Sequence, residues 1–406
     1  MAAADDSRST PAALPYFTVR PADSPLDPAT VETHLRRLHG LTGSAKAGLL
    51  TRSPRPTIEW LLTSSGDEHG LTYAVGVDDE DAHSSLEHAI RGLFPDSYAI
   101  AEADRETLLD PLTLSEDADT VALAFEGDPT HRKDWQTCLT PFAEFHESER
   151  DRNHVRAPLA AVAETLADSP VPVCYQVLVR PKPDWSVEAD ERRLDLEQGS
   201  DTFGGKLMNA LVGPPPEDEL VMLGADEERV VHLRERDSHH SFEVNVRAVA
   251  GHSADPTDAE RVLGDLATAF EAVSGPFYRI EGTVATGTDA RRLADDLHER
   301  TLHAPAYGRS LTSSGRRTSP GLVVDARELG SFCALPGDAL TSEGVTPERT
   351  ERARFASIGH EGPARPAAGG GEGAARGGGV GGPVAGGLGG SPGGCAERAG
   401  GLRPRG

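Results

Sequence analysis

The chain has 406 residues, with 65 Asp and Glu against 40 Lys and Arg, a formal charge of -25. Only Lys46, Lys133, Lys182 and Lys206 are lysines, the composition expected of a protein in a salt-loaded cytoplasm, where carboxylates hold water and cations. Such a balance excludes nucleic-acid binding by bulk electrostatics, because a net-negative surface repels phosphates. No segment approaches the ~18 consecutive apolar residues of a membrane span, and the first residues lack the basic-then-apolar pattern of a secretory signal. A cytoplasmic location follows, with any membrane association peripheral. Cys138, Cys174, Cys333 and Cys395 lie far apart without C-x-x-C spacing, so they read as reduced, buried thiols and not as a zinc site or disulfide framework.

The predicted elements describe an α+β protein. Residues 1–14 read as a disordered leader. A first region, 15–110, opens with a strand at Tyr16 to Val19. A helix follows, with Asp27 placed to accept first-turn amides, Pro28 at the first helical position, Val31, Leu35 and Leu38 on one face, and Gly40 at its end. Alternation at Ile58, Trp60 and Leu62, then at Leu71, Tyr73, Val75 and Val77, predicts a hairpin around Ser64 to Asp67. The spacing of Ala82, Leu86, Ala89, Ile90 and Leu93 predicts a helix ending before Pro95, and a strand follows at Tyr98 to Ala101. The order βαββαβ is the split-βαβ, ferredoxin-like arrangement.

Residues 111–170 read as a connecting segment with a strand at Val121 to Phe125 and a short helix at Pro158 to Ala167. The second region, 171–350, begins with the strand Val173 to Val179. Charged helices are expected at Asp184 to Asn209 and Asp226 to Arg236, then a strand at Phe242 to Ala250 whose intervening polar residues predict one wet face. A continuous helix is expected from Ala259 to Val273, a strand at Phe277 to Thr283, and a helix over Ala290 to Leu297. Two ferredoxin-like antiparallel sheets backed by helices are therefore predicted, the second suggesting a duplication of the first without a residue-level repeat.

Residues 351–406 read as a disordered Gly-, Arg- and Pro-rich tail. From Glu361 onward, 19 of 46 residues are glycine, with five arginines, three glutamates and no aspartate, so residues 1–360 carry -27 and the remainder +2. Without apolar periodicity such a segment cannot offset its ordering entropy. It is expected to be a flexible linker or the product of a reading frame slipped near Ala353 to His360, since GC-rich codons for Asp, Glu and Ala read one base off give Gly, Arg, Ala and Pro.

No catalytic, cofactor-binding or metal-ligating residue is indicated. The phosphate-cradling pattern G-x-x-x-x-G-K-[ST] is absent; Gly204-Gly205-Lys206 comes nearest, but Leu207 stands where a hydroxyl is required. His239 and His240 are adjacent on the approach to a strand and point to opposite faces. Trp60, Trp135 and Trp185 are too scattered for a stacking platform. The pairs Arg36-Arg37, Arg192-Arg193 and Arg291-Arg292 have acids close by and read as helix-surface ion pairs. Arg309, Arg316 and Arg317, in a loop free of acids, are the candidate contacts for an anion or an acidic partner.

Three segments carry a resemblance: VPVCYQVLVRPKPDWS at 171–186, SFEVNVRAVA through SGPFYRIEG within 241–282, and GSFCALPGDALTSEGV at 330–345. Together they resemble the region preceding the motor in haloarchaeal HerA/TraG-like ATPases of conjugative type IV secretion, over roughly residues 15–350. The family-like positions are Pro181, Trp185, Pro276, Phe277, Leu335, Pro336 and Gly337. In that family a P-loop motor would follow; here the glycine tail begins instead, so no catalytic residue carries over. The resemblance implies a non-catalytic docking and assembly region of a DNA-transfer ATPase, truncated before its motor and unable to hydrolyse ATP. Its implied partners are conjugation-channel or membrane-associated secretion proteins and further copies of itself, with nucleic acid not bound by this part alone. The alternative is a free-standing, halophilic protein- or DNA-interaction module with a flexible basic tail; an enzyme of unrecognised type is a third.

Overall fold

Local chemistry fixes the first repeat as its spacing predicts. In the computed structural model, which describes residues 15–41, 55–66, 70–112, 120–147, 156–199, 224–251, 256–307 and 318–340, strand β1 is Tyr16–Arg20 and helix α1 is Pro28–His39. Asp27 accepts from the Thr30 amide at 3.0 Å, and Pro28 occupies the first turn. Strands β2 (Ile58–Ser64) and β3 (Leu71–Val77) form the hairpin, with Gly66 in the left-handed region at φ 75°. Helix α2 (Glu80–Leu93) is capped by Asp79, and β4 (Ala99–Ala103) completes a sheet ordered β4-β1-β3-β2. A short helix, α3 (Arg105–Leu109), follows.

The second repeat opens inside the segment read as a connector. Strand β5 (Val121–Pro129) is its first strand. After the short α4 (Glu144–Glu147) come α5 (Pro158–Ala167) and β6 (Val173–Pro181). Helices α6 (Ser186–Glu197) and α7 (Gly224–Glu235) stand between β6 and β7 (Ser241–Ala250). Helix α8 (Pro256–Leu266) and β8 (Tyr278–Thr286) complete βαββαβ, with α6 and α7 as an insertion. Sheet order in this half is β6-β7-β5-β8, the mirror of the first.

The two repeats share one sheet. Strand β2 pairs antiparallel with β6 from Ile58↔Val179 to Ser64↔Val173, so the second strands of both repeats meet at the centre and the fourth strands lie at the two outer edges. Helix α9 is Gly287–His298, and a ninth strand, β9 (Leu322–Asp325), pairs with the start of β7 where β5 has diverged toward β8. Helix α10 (Ala326–Cys333) closes the described chain with a 3-10 turn at Gly337–Ala339. No helix among the described residues is long and apolar enough to cross a membrane.

One sheet face is covered by α1, α2, α5, α8 and α10 over Trp60, Val75, Tyr175, Val177 and Phe242. The opposite face is covered by α3 and α9 over Tyr16, Leu61, Cys174 and Val249. Two expectations change as a result. The polar face of β7 is not wet, because Asn245 and Arg247 are buried beneath α9 and the chain at 301–303. The expected helix to Val273 ends at Leu266; Ala267 lies where any side chain on Gly282 of β8 would go, and a 3-10 turn at Glu271–Val273 completes the apolar stripe.

Helix α10 fills the seam between the helices of the two repeats on this face, packing on α1 of one repeat and α5 of the other. Asp325 and Glu328 form a reciprocal capping box at its start. At its end, the Tyr73 hydroxyl donates to the Cys333 carbonyl and the Tyr175 hydroxyl to the Phe332 carbonyl at 3.1 Å, one tyrosine from each repeat. Cys138, Cys174 and Cys333 are buried free thiols, as their spacing suggested. The leader and the tail lie outside the described residues.

Candidate functional site

The α6–α7 insertion stands on a base of aromatic and charged groups. Pro181 ends β6 opposite Phe242, and the Lys182 amide still donates to Ser241 at 2.8 Å. Trp185 is buried at the start of α6, its indole donating to the Ser241 hydroxyl at 3.0 Å. Its ring lies 5.1 Å from that of Trp135, which stacks on Tyr307 and carries the Lys182 ammonium 5.3 Å from its centre. Two of the three tryptophans thus meet, although the sequence separates them by 50 positions.

Asp134 is the ionic foot of the insertion. Fully buried, it accepts from Arg192 of α6 and, at 3.1 and 3.2 Å, from Arg229 of α7. The Arg229 guanidinium lies 4.3 Å over the Phe277 ring, and His232 meets that ring edge-on. Arg192, expected on the surface, is therefore interior. Only its neighbour Arg193 makes the surface pairs the sequence implied, with Asp190 and Glu197. Leu196, Val230 and Leu233 form a small core between the two helices.

Between α6 and α7 runs an open groove of about 390 Å³, lined by nine residues of which Arg193, Arg234, Arg236 and His239 are basic and Asp190 alone is acidic. Glu197 pairs with Arg193 at 3.4 Å and with Arg234 at 3.1 Å. Arg236 is buried; its terminal nitrogens donate to Glu328, Thr137 and Val323, while its Nε has no hydrogen-bond partner. Among the described residues the exposed large apolar side chains are Val187 at 72%, Leu194 at 48% and Val231 at 44%, all three on α6 and α7. A second cavity of about 190 Å³ is lined by Cys138, Glu144, His232, Glu235, Pro276 and Arg327, among others. Burial, then the charge of Glu328, pushes the Cys138 thiol up to about 12, so it does not supply a thiolate near neutral pH.

Across the sheet, a polar network bridges the two repeats. Glu59 of β2 accepts from Tyr16, from Gln176 of β6, and from both Nε and Nη2 of Arg105 at 2.9 Å. Gln176 accepts in turn from Arg247, whose Nη2 donates to the Thr301 carbonyl at 2.8 Å. Asp296 lies 3.9 Å from Arg247 and 2.7 Å from His303 Nε2. Burial is the main cause lowering the Arg247 pKa to about 10 and raising that of Tyr16, where Glu59 adds to it. Arg105 and Gln176 both donate to the Leu297 carbonyl, so these groups anchor the end of α9 to the sheet. The network thus ties β2 of the first repeat to β6 and β7 of the second and to the end of α9.

The sequence-derived positions separate into three places. Trp185 and Phe277 support the insertion, with Pro181 leading into it and Pro276 on the neighbouring cavity. Leu335, Pro336 and Gly337 lie instead against the first repeat: the Tyr98 hydroxyl donates to Leu335 at 3.3 Å and accepts from the Gly337 amide at 2.6 Å. Arg309, Arg316 and Arg317 fall outside the described residues. Asp134, Arg236, Glu328 and Glu59 were not singled out by sequence; the signal for Glu59 was a lone carboxylate inside the apolar alternation of β2. Among the described residues no group of three or more His, Cys, Asp or Glu is placed to hold a metal ion. Compared with known proteins, the chain matches no protein-family profile and no curated protein.

Proposed function

We propose that the chain is a non-catalytic docking and assembly region of a DNA-transfer ATPase of the conjugative type, itself without ATP hydrolysis, acting in the cytoplasm of a salt-adapted cell or peripherally at its membrane. The observation that carries the docking role is the insertion: it departs from an otherwise mirrored double repeat and bears the large apolar side chains that are exposed among the described residues. Surface helices inserted between strands of a rigid sheet are where interaction function is commonly placed. That the insertion stands on Trp185 and Phe277, two of the family-like positions, ties it to the resemblance. Its partners are channel or membrane-associated secretion proteins, or further copies of the chain.

The gene provides the direct test of the family assignment. One of the other two frames downstream of codon 350 should encode G-x-x-x-x-G-K-[ST] within a few hundred bases; if neither does, the truncated-ATPase assignment falls. Purified protein should not turn over ATP in molar KCl, and measurable turnover would overturn the non-catalytic role. A second reading, DNA contact through the tail, is favoured by the excess of arginine over glutamate in residues 361–406. Deleting those residues should then abolish DNA retardation at low salt, and an unchanged shift would remove the tail from consideration.

A further inference from the structure

We infer that β8, the outer strand of the second repeat, pairs antiparallel with β8 of a second copy, joining two sheets across a two-fold axis at Thr283. This goes beyond the docking role proposed above, since it uses neither the insertion nor the resemblance. Hydrogen-bond alternation identifies the groups at the edge. The Thr130 amide donates to the Phe277 carbonyl at 2.8 Å, and the pairing runs on from Pro129↔Tyr278 to Val121↔Thr286. Odd-numbered residues of β8 therefore bond to β5, while Tyr278, Ile280, Gly282, Val284 and Thr286 turn their amides outward. The turn at 274–275 satisfies the first of these outward groups: the Gly275 amide donates to the Tyr278 carbonyl at 2.9 Å, and the Ile280 amide to the Ser274 hydroxyl at 3.0 Å. Among the described residues nothing meets the Ile280 carbonyl, the amide and carbonyl of Gly282 and of Val284, or the Thr286 amide.

That open set is complementary to itself, which points to a second copy as the occupant. With the axis at Thr283, Gly282 faces the partner's Val284 and the two exchange both hydrogen bonds, while the Thr286 amide reaches the partner's Ile280 carbonyl. Each open group then meets one counterpart. An axis at Glu281 would instead oppose two carboxylates. The edge also lacks the usual guards against such pairing. Residues 282–288 read GTVATGT, without a charge or a proline, in a chain of which 26% is charged. Gly287, at φ 61°, turns α9 back over β5 and β7. Partly buried Val284, Ala267 and Ala269 on one face, and Ala285 and Leu293 on the other, give the incoming strand apolar surface to cover. The opposite edge is unlike it: β4 reads AIAEA, with three alanines, poor strand formers, and the exposed Glu102. The two edges therefore favour a closed dimer over head-to-tail growth.

Sedimentation equilibrium of the full chain in molar KCl should give twice its 42.9 kDa. Val284→Pro removes an outward amide without touching the β5 ladder, a change that edge strands tolerate. It should raise the dimer dissociation constant about ten-fold or more, since two hydrogen bonds are lost across the axis. Register is read by cross-linking in a Cys395→Ser background. Oxidised glutathione should link Thr283→Cys to its own copy, because a non-hydrogen-bonded antiparallel pair brings Cα atoms to about 4.5 Å, within disulfide reach. Ala285→Cys, opposite the partner's Glu281, should stay unlinked. Circular dichroism verifies that each variant is folded, and if Val284→Pro is not, the two cysteine variants decide. The inference is overturned by a monomer at every concentration, by a dimer that folded Val284→Pro leaves as tight, or by linkage at Ala285→Cys and not at Thr283→Cys. Growth beyond the dimer also overturns it, since β8 would then be meeting β4 of the next copy. None of these readouts involves ATP or the gene's downstream frames, so failure here and failure of the ATPase assignment are separable.

Discussion

Glu59 is one carboxylate among many in an acidic chain, yet it receives hydrogen bonds from Tyr16, Arg105 and Gln176 and so joins both repeats to α3. Replacing it by Gln leaves Arg105 facing a neutral group in a mostly desolvated site. A loss of about 3 kcal/mol in urea unfolding is expected, since breaking one partner of a buried pair uncovers the other charge. Glu59→Leu combined with Arg105→Leu should cost less than the sum of the single changes, as a double-mutant cycle would show. His39 provides a pH test. Burial is the chief cause lowering its pKa from the ordinary 6.5, reinforced by Arg55 and His240 and opposed by the Lys182 carbonyl its ring contacts. A base with a lowered folded pKa binds its proton more readily when unfolded. Its contribution is therefore present above 6.5 and is lost as pH falls through the folded value. Urea midpoints measured from about pH 7 to about pH 5 should drop less steeply for His39→Gln than for the parent.

At the scale of elements, legibility followed locality. Helix α1 was readable because cap, first-turn proline and apolar face lie within a dozen residues. Helix α10 was not read as a helix. Its eight residues contain Gly330 and Ser331, and nearly all its side chains are buried, so no polar face marks it; the available signal was the spacing of Asp325 and Glu328. Gly330 lies where a Cβ would come within 2.7 Å of the Phe142 ring, which explains a poor helix former at that position. Asp325 also accepts from the Asp237 amide and from Arg327. Asp325→Ala should therefore destabilise the fold by about 2 kcal/mol, the upper end of cap losses, read as a lowered urea midpoint. The groove was illegible for another reason: Arg192 and Arg193 are adjacent in sequence, but one faces Asp134 in the interior and the other faces α7. A linear pattern of charge cannot separate those two environments.

For the whole molecule, the expected pair of ferredoxin-like regions is present, but as one sheet and not two. Helical and strand periods identify elements; they carry no information about which strands pair across a hundred residues, and both β2–β6 and β5–β7 are such pairings. Ending the chain after Pro320 removes β9 and α10, uncovers the seam, and should abolish the cooperative transition. Residues 15–112 alone expose the full edge of β2 and the apolar surface under α10. They are expected to aggregate in size-exclusion chromatography, whereas residues 15–340 should not.

The tyrosine contacts to the end of α10 also bear on how the protein is made. Tyr73 and Tyr98 belong to the first repeat, but their carbonyl partners, Cys333 and Leu335, follow them by 260 and 237 positions. A ribosome emits the first repeat long before it emits those residues. Until then the nascent chain holds an unclosed seam in which Tyr73 and Tyr98 lack those partners, a state open to chaperone capture or proteolysis. Emergence of α10, and not the appearance of each repeat, is the event that closes the seam between the two halves.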